Sequence, residues 1–286
     1  MDMEKIMNPS KFYGASKIGF NLDDNPVFRR VRNTLVSYAM PTTLFDRNLK
    51  TLEMRKDNTK GSTFGEVLGS YDPKRNKILE PSDSRDLIHE VFHMASNRKD
   101  DSQNMGVLEY NFGASVNEGI TELFSYLSTL NENNPDDKYE IRYPIEKLFA
   151  EFLGSMYGFK IFKHHFNCEP RKFMDEFGED KDRVQVLISE LDKLTRAKND
   201  FINMKEIDYN EMANSFINAF GGFIDLAISK NPSYGNAYFE LIRGMLRQKI
   251  ESVDSFKTMM ELSDFGNIDN IVDVIGEHCF GEVSKL

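Results

Sequence analysis

His89-Glu90-Val91-Phe92-His93 decides how the rest of this chain is read, because it sets two imidazoles four residues apart with a carboxylate beside the first. On an α-helix that spacing sends both rings off one face, where they can close on a single zinc ion. It also puts Glu90 about 100° round the barrel, toward the metal's open side. The flanks predict the helix. Pro81-Ser82-Asp83-Ser84 offers a proline stop and several N-caps, and Leu87, Ile88, Val91, Phe92 and Ala95 follow as an apolar stripe at helical spacing. Asp86, His89, Glu90, His93 and Asn97 make the opposite stripe, so the histidines are expected away from the core. HExxH arises by chance in on the order of one in a hundred chains of this length. A surface helix with two histidines therefore stays open as an account until a further ligand is found.

Hydrolytic zinc takes a third protein ligand and keeps its fourth position for water. Asn117-Glu118-Gly119-Ile120-Thr121-Glu122 supplies one after 24 intervening residues. Val116, Ile120, Leu123, Phe124 and Leu127 form the buried stripe of a second helix, which sets Glu118 and Glu122 one turn apart on one face. Two carboxylates at that spacing repel by a few tenths of a kcal/mol on an isolated helix. A shared cation reverses the sign. Glu118 is then a metal ligand, and Glu122 accepts the free ring N–H of His89, fixing its tautomer. Ser115-Val116-Asn117-Glu118 also fits the S-x-x-E capping box, in which Glu118 only closes the helix N-terminus. Its place downstream of HExxH favours the ligand.

HExxH followed by N-E-G-x-x-E resembles the gluzincin branch of zinc metallopeptidases, the thermolysin-like and aminopeptidase-like group. The resemblance covers roughly residues 64–125. It implies His89, His93 and Glu118 as zinc ligands, Glu90 as general base and Glu122 as the residue behind a ligand. Thermolysin-like members usually carry aspartate where this chain has Glu122. No H-x-x-G-x-x-H pattern follows His93, so the metzincin branch is unsupported. Gluzincins commonly stabilise the oxyanion with a Tyr or His from the following helical lobe. Tyr143, just ahead of a proline-led helix, is the first candidate, with Tyr157, His164 and His165 as alternatives. The implied reaction is peptide hydrolysis by a zinc-activated water whose proton Glu90 takes and returns to the leaving amine.

Ahead of the motif, Lys50–Arg55 and Phe64–Tyr71 alternate apolar and polar residues, Asp72–Asn76 is a turn, and Lys77–Glu80 is a short strand. The expected fold is therefore α+β and zincin-like, with a small mixed sheet packed on the HExxH helix and an all-helical C-terminal lobe. Asn131–Asp137 is the polar breaker, dividing a catalytic lobe at 1–135, with both motif helices, from a helical lobe at 136–286. Three stripes mark that lobe: Val184, Leu187, Ile188, Leu191 and Leu194; Phe216, Ile217, Phe220, Phe223, Ile224 and Ala227; Tyr238, Leu241, Ile242, Met245 and Leu246. Gly221-Gly222 and Asn231-Pro232 are expected to punctuate them.

A chain of 286 residues with 40% hydrophobic residues can bury a full core. A net charge of −10 argues against nucleic acid as a partner. No run of eighteen apolar residues and no signal-peptide core follow Met1, so no membrane partner and a cytoplasmic location are expected. Cys168 and Cys279 stand alone and are taken as inert thiols. Three accounts compete: a zinc metallopeptidase acting on a peptide or protein substrate, a regulatory or binding protein with a degenerate zincin-like metal site, and a helical scaffold without metal.

Overall fold

Asn25 opens the first long helix by accepting the Val27 N–H at 2.9 Å, and Pro26 at the first helical position has no N–H to leave orphaned. The structure, a computed structural model, describes residues 17–56, 70–80, 84–98, 105–109, 112–130, 141–202, 205–248 and 251–281. Strand β1 (Lys17–Ile18) leads to α1 (Pro26–Ser37), α2 (Thr43–Leu49), β2 (Glu53–Lys56), β3 (Ser70–Asp72) and β4 (Lys77–Glu80). The HExxH helix is α3 (Ser84–Ala95), and α4 (Ala114–Thr129) carries N-E-G-x-x-E. Then come α5 (Pro144–Tyr157), the short α6 (Lys163–Phe166) and α7 (Pro170–Asp175), α8 (Lys181–Ile202), α9 (Tyr209–Lys230), α10 (Pro232–Leu246), α11 (Glu251–Glu261) and α12 (Ile268–Phe280). The fold class is α+β, and every described strand precedes α3. The described residues fall into two units that alternate along the chain. One is Met1–Tyr110, Leu123–Tyr139 and Lys160–Pro170; the other is Asn111–Glu122, Glu140–Phe159 and Arg171–Leu286. Helix α4 runs unbroken from the second unit into the first.

In the first unit the sheet order is β1-β2-β4-β3, with β2 and β4 parallel and both edge pairings antiparallel, so the expected mixed sheet is present. It packs on α3, as do α1 and α2. The β3–β4 turn is built by Asp72, whose Oδ1 accepts the N–H groups of Lys74 and Arg75. Asn76 closes it at φ 51°, a left-handed conformation that asparagine tolerates. Four polar side chains then bolt this turn to the end of α3. Asn76 donates to the Asn48 carbonyl at 2.7 Å and accepts the Tyr71 hydroxyl at 2.9 Å; Asn97 donates to that hydroxyl and to the Pro73 carbonyl. Asn48 donates to the carbonyls of Met94 and Asn97, satisfying groups that the end of a helix leaves open. Below α3, Phe92 meets Phe124 and Phe166, and Phe124 also meets Phe162. Each fully buried ring contributes roughly 1.5–3 kcal/mol.

The second unit is helical around a core in which Phe223 meets Phe149 edge-on and Phe152 at a tilt, and Phe152 meets Tyr238 at a tilt. The first predicted stripe, Val184 to Leu194, is buried throughout. Two expectations need correcting. Gly221 and Gly222 do not interrupt the helical run but lie inside α9, where a Cβ on Gly222 would stand 2.6 Å from Leu187 Cδ2. The glycines allow helices to approach closely rather than breaking one. Leu241 is 51% exposed, although its periodicity assigned it to the core. Asn231-Pro232 does separate two helices, with Asn231 accepting the Ser233 N–H as cap of α10. Helices α1 and α2 and strand β1 were not anticipated. Expectations at Phe64–Gly69, Pro81–Asp83 and Asn131–Asp137 lie outside the described residues. None of the described helices is long and apolar enough to cross a membrane.

Candidate metal centre

Both stripes of α3 are buried, so the histidine face, expected to lie away from the core, is covered as well. Leu87, Ile88, Val91, Phe92 and Ala95 are in the core, and His89 and His93 are only 5% and 4% exposed, with Glu90 buried beside them. That burial removes the account of two incidental surface histidines. The i,i+4 spacing brings the Nε2 atoms to 3.0 Å, with ring centroids 4.7 Å apart and planes at 79°. Two nitrogens bound at about 2.0–2.1 Å to tetrahedral zinc stand roughly 3.3 Å apart, so the pair is within a few tenths of an ångström of a metal bite.

Glu118 completes the set. One donor atom from each of His89, His93 and Glu118 lies within 4.8 Å of the others. Two imidazoles and one carboxylate at these distances are a donor set that could hold a metal ion. The later turns of α4 are docked on α3 through Phe124 and Phe92, and α4 is one continuous helix.

The N-terminus of α4 is capped from another helix. Its cap comes from Asp192 in α8, which is buried and whose Oδ1 accepts both the N–H and the hydroxyl of Ser115, at 2.8 and 2.6 Å, while Oδ2 accepts the Gly113 N–H at 2.7 Å. Ser115 is therefore a donor inside the helix rather than the cap of an S-x-x-E box. Glu122 is fully buried, and its Oε1 accepts the Arg142 backbone N–H at 2.9 Å. Gly119 sits where a Cβ would be 2.1 Å from the Glu146 carbonyl oxygen, so this glycine sets the approach of α4 to α5. Glu146 in turn accepts the Thr195 hydroxyl at 2.9 Å.

Tyr143 is the residue at which α5 begins, with its ring 4.5 Å beneath the Lys198 ammonium, and Lys198 also donates to the Arg142 carbonyl at 2.7 Å. The alternatives sit as follows. Tyr157 donates to Asp180 at 2.9 Å, and burial, then the neighbouring Asp180, pushes its phenol up. His164 pairs with Glu169, and His165 is fully buried edge-on to Phe166. Cys168 and Cys279 form no disulfide, and burial followed by the Asp225 charge lifts the Cys279 thiol to about 12, which keeps it protonated and unreactive.

Sequence reasoning overlooked Asp192, Thr195 and Lys198. A signal was present for Asp192, an acidic residue four positions after Ile188 and adjoining Leu191, inside the buried stripe of α8. A carboxylate there requires buried donors. Comparison with protein-family models, curated proteins and solved structures found no match to this chain.

Proposed function

We propose that this chain is a zinc-dependent metallopeptidase with a zincin-like, gluzincin-type site that hydrolyses peptide bonds of a peptide or protein substrate. The observation that carries the reading is that one donor atom from each of the buried His89 and His93 and the partly buried Glu118 lies within 4.8 Å of the others. Those three residues hold the metal. Bound zinc lowers the pKa of a coordinated water toward about 7 and polarises a carbonyl. Glu90, next to a ligand and outside the ligand set, takes the proton of the attacking water and delivers it to the departing amine. Glu122 remains the residue behind the ligands, with one oxygen already committed to Arg142. Tyr143 is proposed as donor to the oxyanion, its segment held between Glu122 and Lys198. Burial of His89 and His93 keeps bulk water away from the two imidazoles, which strengthens charge interactions on that side of the site.

The test is metal content together with peptide cleavage. Purified protein is expected to hold one zinc per chain, to cleave a broad peptide library, to stop when zinc is chelated and to recover when it returns. Glu90→Gln is expected to keep the zinc and slow cleavage by about 10²–10⁴-fold. Protein that takes up no zinc on reconstitution overturns the reading. Protein that holds zinc and cleaves nothing is a binding protein with a metal site.

A further inference from the structure

We propose that Asp192, supported by Thr195 and Lys198 on the same face of α8, is a positioning residue for Glu118, an inference that rests on the metal reading above. Positions i, i+3 and i+6 of a helix share one side, and here each reaches a different anchor around the Glu118 turn. Asp192 holds Gly113 and Ser115 at the start of α4. Thr195 holds Glu146, whose carbonyl oxygen faces Gly119. Lys198 holds the carbonyl of Arg142, whose N–H is bound by Glu122. Gly119 and Glu122 are thus each braced from α8 through one intermediate, and Glu118 lies between them and the helix start that Asp192 holds.

The physical need for the brace lies in Gly113. It has φ 86°, and its carbonyl accepts the Asn117 N–H as the first bond of α4, so it occupies the N-cap position. Glycine has no side chain to satisfy the open N–H groups of the first turn. Glu118 comes little more than one turn later, within reach of fraying from that end. Asp192 supplies the missing acceptor from a different helix, and its two oxygens take three donors. Without them the first turn of α4 loosens, and a metal must then pay the entropy of ordering Glu118. The residues behind metal ligands typically contribute 10–100-fold in metal affinity.

The experiment compares two caps. Asp208 caps α9 by accepting the N–H groups of Asn210 and Glu211, the same chemistry in a helix that carries no ligand. Asp192→Ala, Asp192→Asn and Asp208→Ala are each assayed for zinc affinity, by competition with a chromophoric chelator, and for melting of the zinc-free protein. Asp192→Ala is expected to bind zinc about 10–100-fold more weakly and Asp192→Asn to fall between it and wild type. Asp208→Ala is expected to lower melting while leaving zinc affinity within about twofold of wild type. Should Asp192→Ala fail to fold, Asp192→Asn decides: weakened zinc supports the inference, and wild-type affinity overturns it. Equal losses of affinity at Asp192 and Asp208 also overturn it, since the effect is then general instability. Wild-type protein that holds no zinc removes the metal reading itself and this inference with it.

Discussion

The two helices that supply the proposed ligands are fixed by different means. Helix α3 carries two donors on its own face, and its end is tied by Asn48, Asn76 and Asn97 to segments that lie within fifty residues of it. Helix α4 carries one donor, and the start of that helix is held by Asp192, seventy-seven residues beyond Ser115. A pair at i,i+4 is brought together by helix geometry alone. A single ligand on a second helix depends on everything that orients that helix. The contrast predicts that damage around α4 weakens metal binding, whereas damage around α3 lowers stability and leaves affinity alone.

The largest effect is expected at Gly119. Its missing Cβ would lie 2.1 Å from a backbone oxygen, which cannot turn aside as a side chain can. Gly119→Ala is expected to destabilise the zinc-free protein by about 3 kcal/mol, the upper part of the overpacking range, and to weaken zinc at least tenfold. Gly222→Ala is the matched control: its Cβ meets only the flexible tip of Leu187, so calorimetry is expected to show a smaller loss and zinc titration no change. Equal behaviour of the two glycines in both measurements would break the comparison.

Glu118→Gln comes next, because it removes a charged ligand without altering packing. Zinc affinity is expected to fall by about a hundredfold or more, beyond what residues behind ligands contribute, with melting of the zinc-free protein nearly unchanged. The structure assigns the cap of α4 to Asp192, so a fall in apo stability matching the loss of a cap, about 1 kcal/mol, would return Glu118 to a structural role.

What was legible in the sequence follows the same division. His89 and His93 form a pattern within one element, and Glu118 with Glu122 forms another, so both pairs could be read from spacing. The strand, turn and strand before α3 were legible because alternation and an Asp-Pro turn are local signals. The burial of α3 on both sides was not, since it depends on what α1, α2 and the sheet bring from outside the helix. Gly119 and the Gly221-Gly222 pair show the limit for glycine. In sequence a helical glycine registers only as a loss of helix propensity, yet here each gains close approach to a partner far along the chain. Asn48 and Asn76 carry the same lesson, as residues common in turns whose amides are spent on buried carbonyls.

Asn76→Gly tests the α3 side. Glycine keeps the left-handed conformation but removes the donors to Asn48 and Thr51 and the acceptor for the Tyr71 hydroxyl. Buried groups left without partners are expected to lower stability by about 2 kcal/mol in chemical denaturation. Zinc affinity is expected to stay within about threefold, because the spacing of the two histidines belongs to α3 itself. A loss of affinity like that of Gly119→Ala would mean that the hairpin, and not the helix alone, sets the pair.

The smallest effect concerns acid stability, carried away from the metal in the second unit. Partial burial works to raise the Asp180 carboxyl, but hydrogen bonds from Lys230 and Tyr157 and the charges of Lys230 and Arg183 outweigh it, so the group titrates below its ordinary value of 3.8. A carboxylate with a depressed folded pKa holds fewer protons folded than unfolded as pH falls through that ordinary value. Its contribution is therefore fully present above the ordinary carboxylate range and is lost on descending through and below it. The pair is partly exposed, so the contribution is about 1 kcal/mol or less. Asp180→Asn is expected to melt lower than wild type at pH 7, with the gap closing as pH drops below about 4. Zinc affinity at neutral pH is expected to be unchanged, because the bonds of Asp180 go to Lys230 and Tyr157 and not to Asp192, Thr195 or Lys198. A gap that stays constant down to the acid limit would mean that Asp180 contributes by packing, with its charge making no difference.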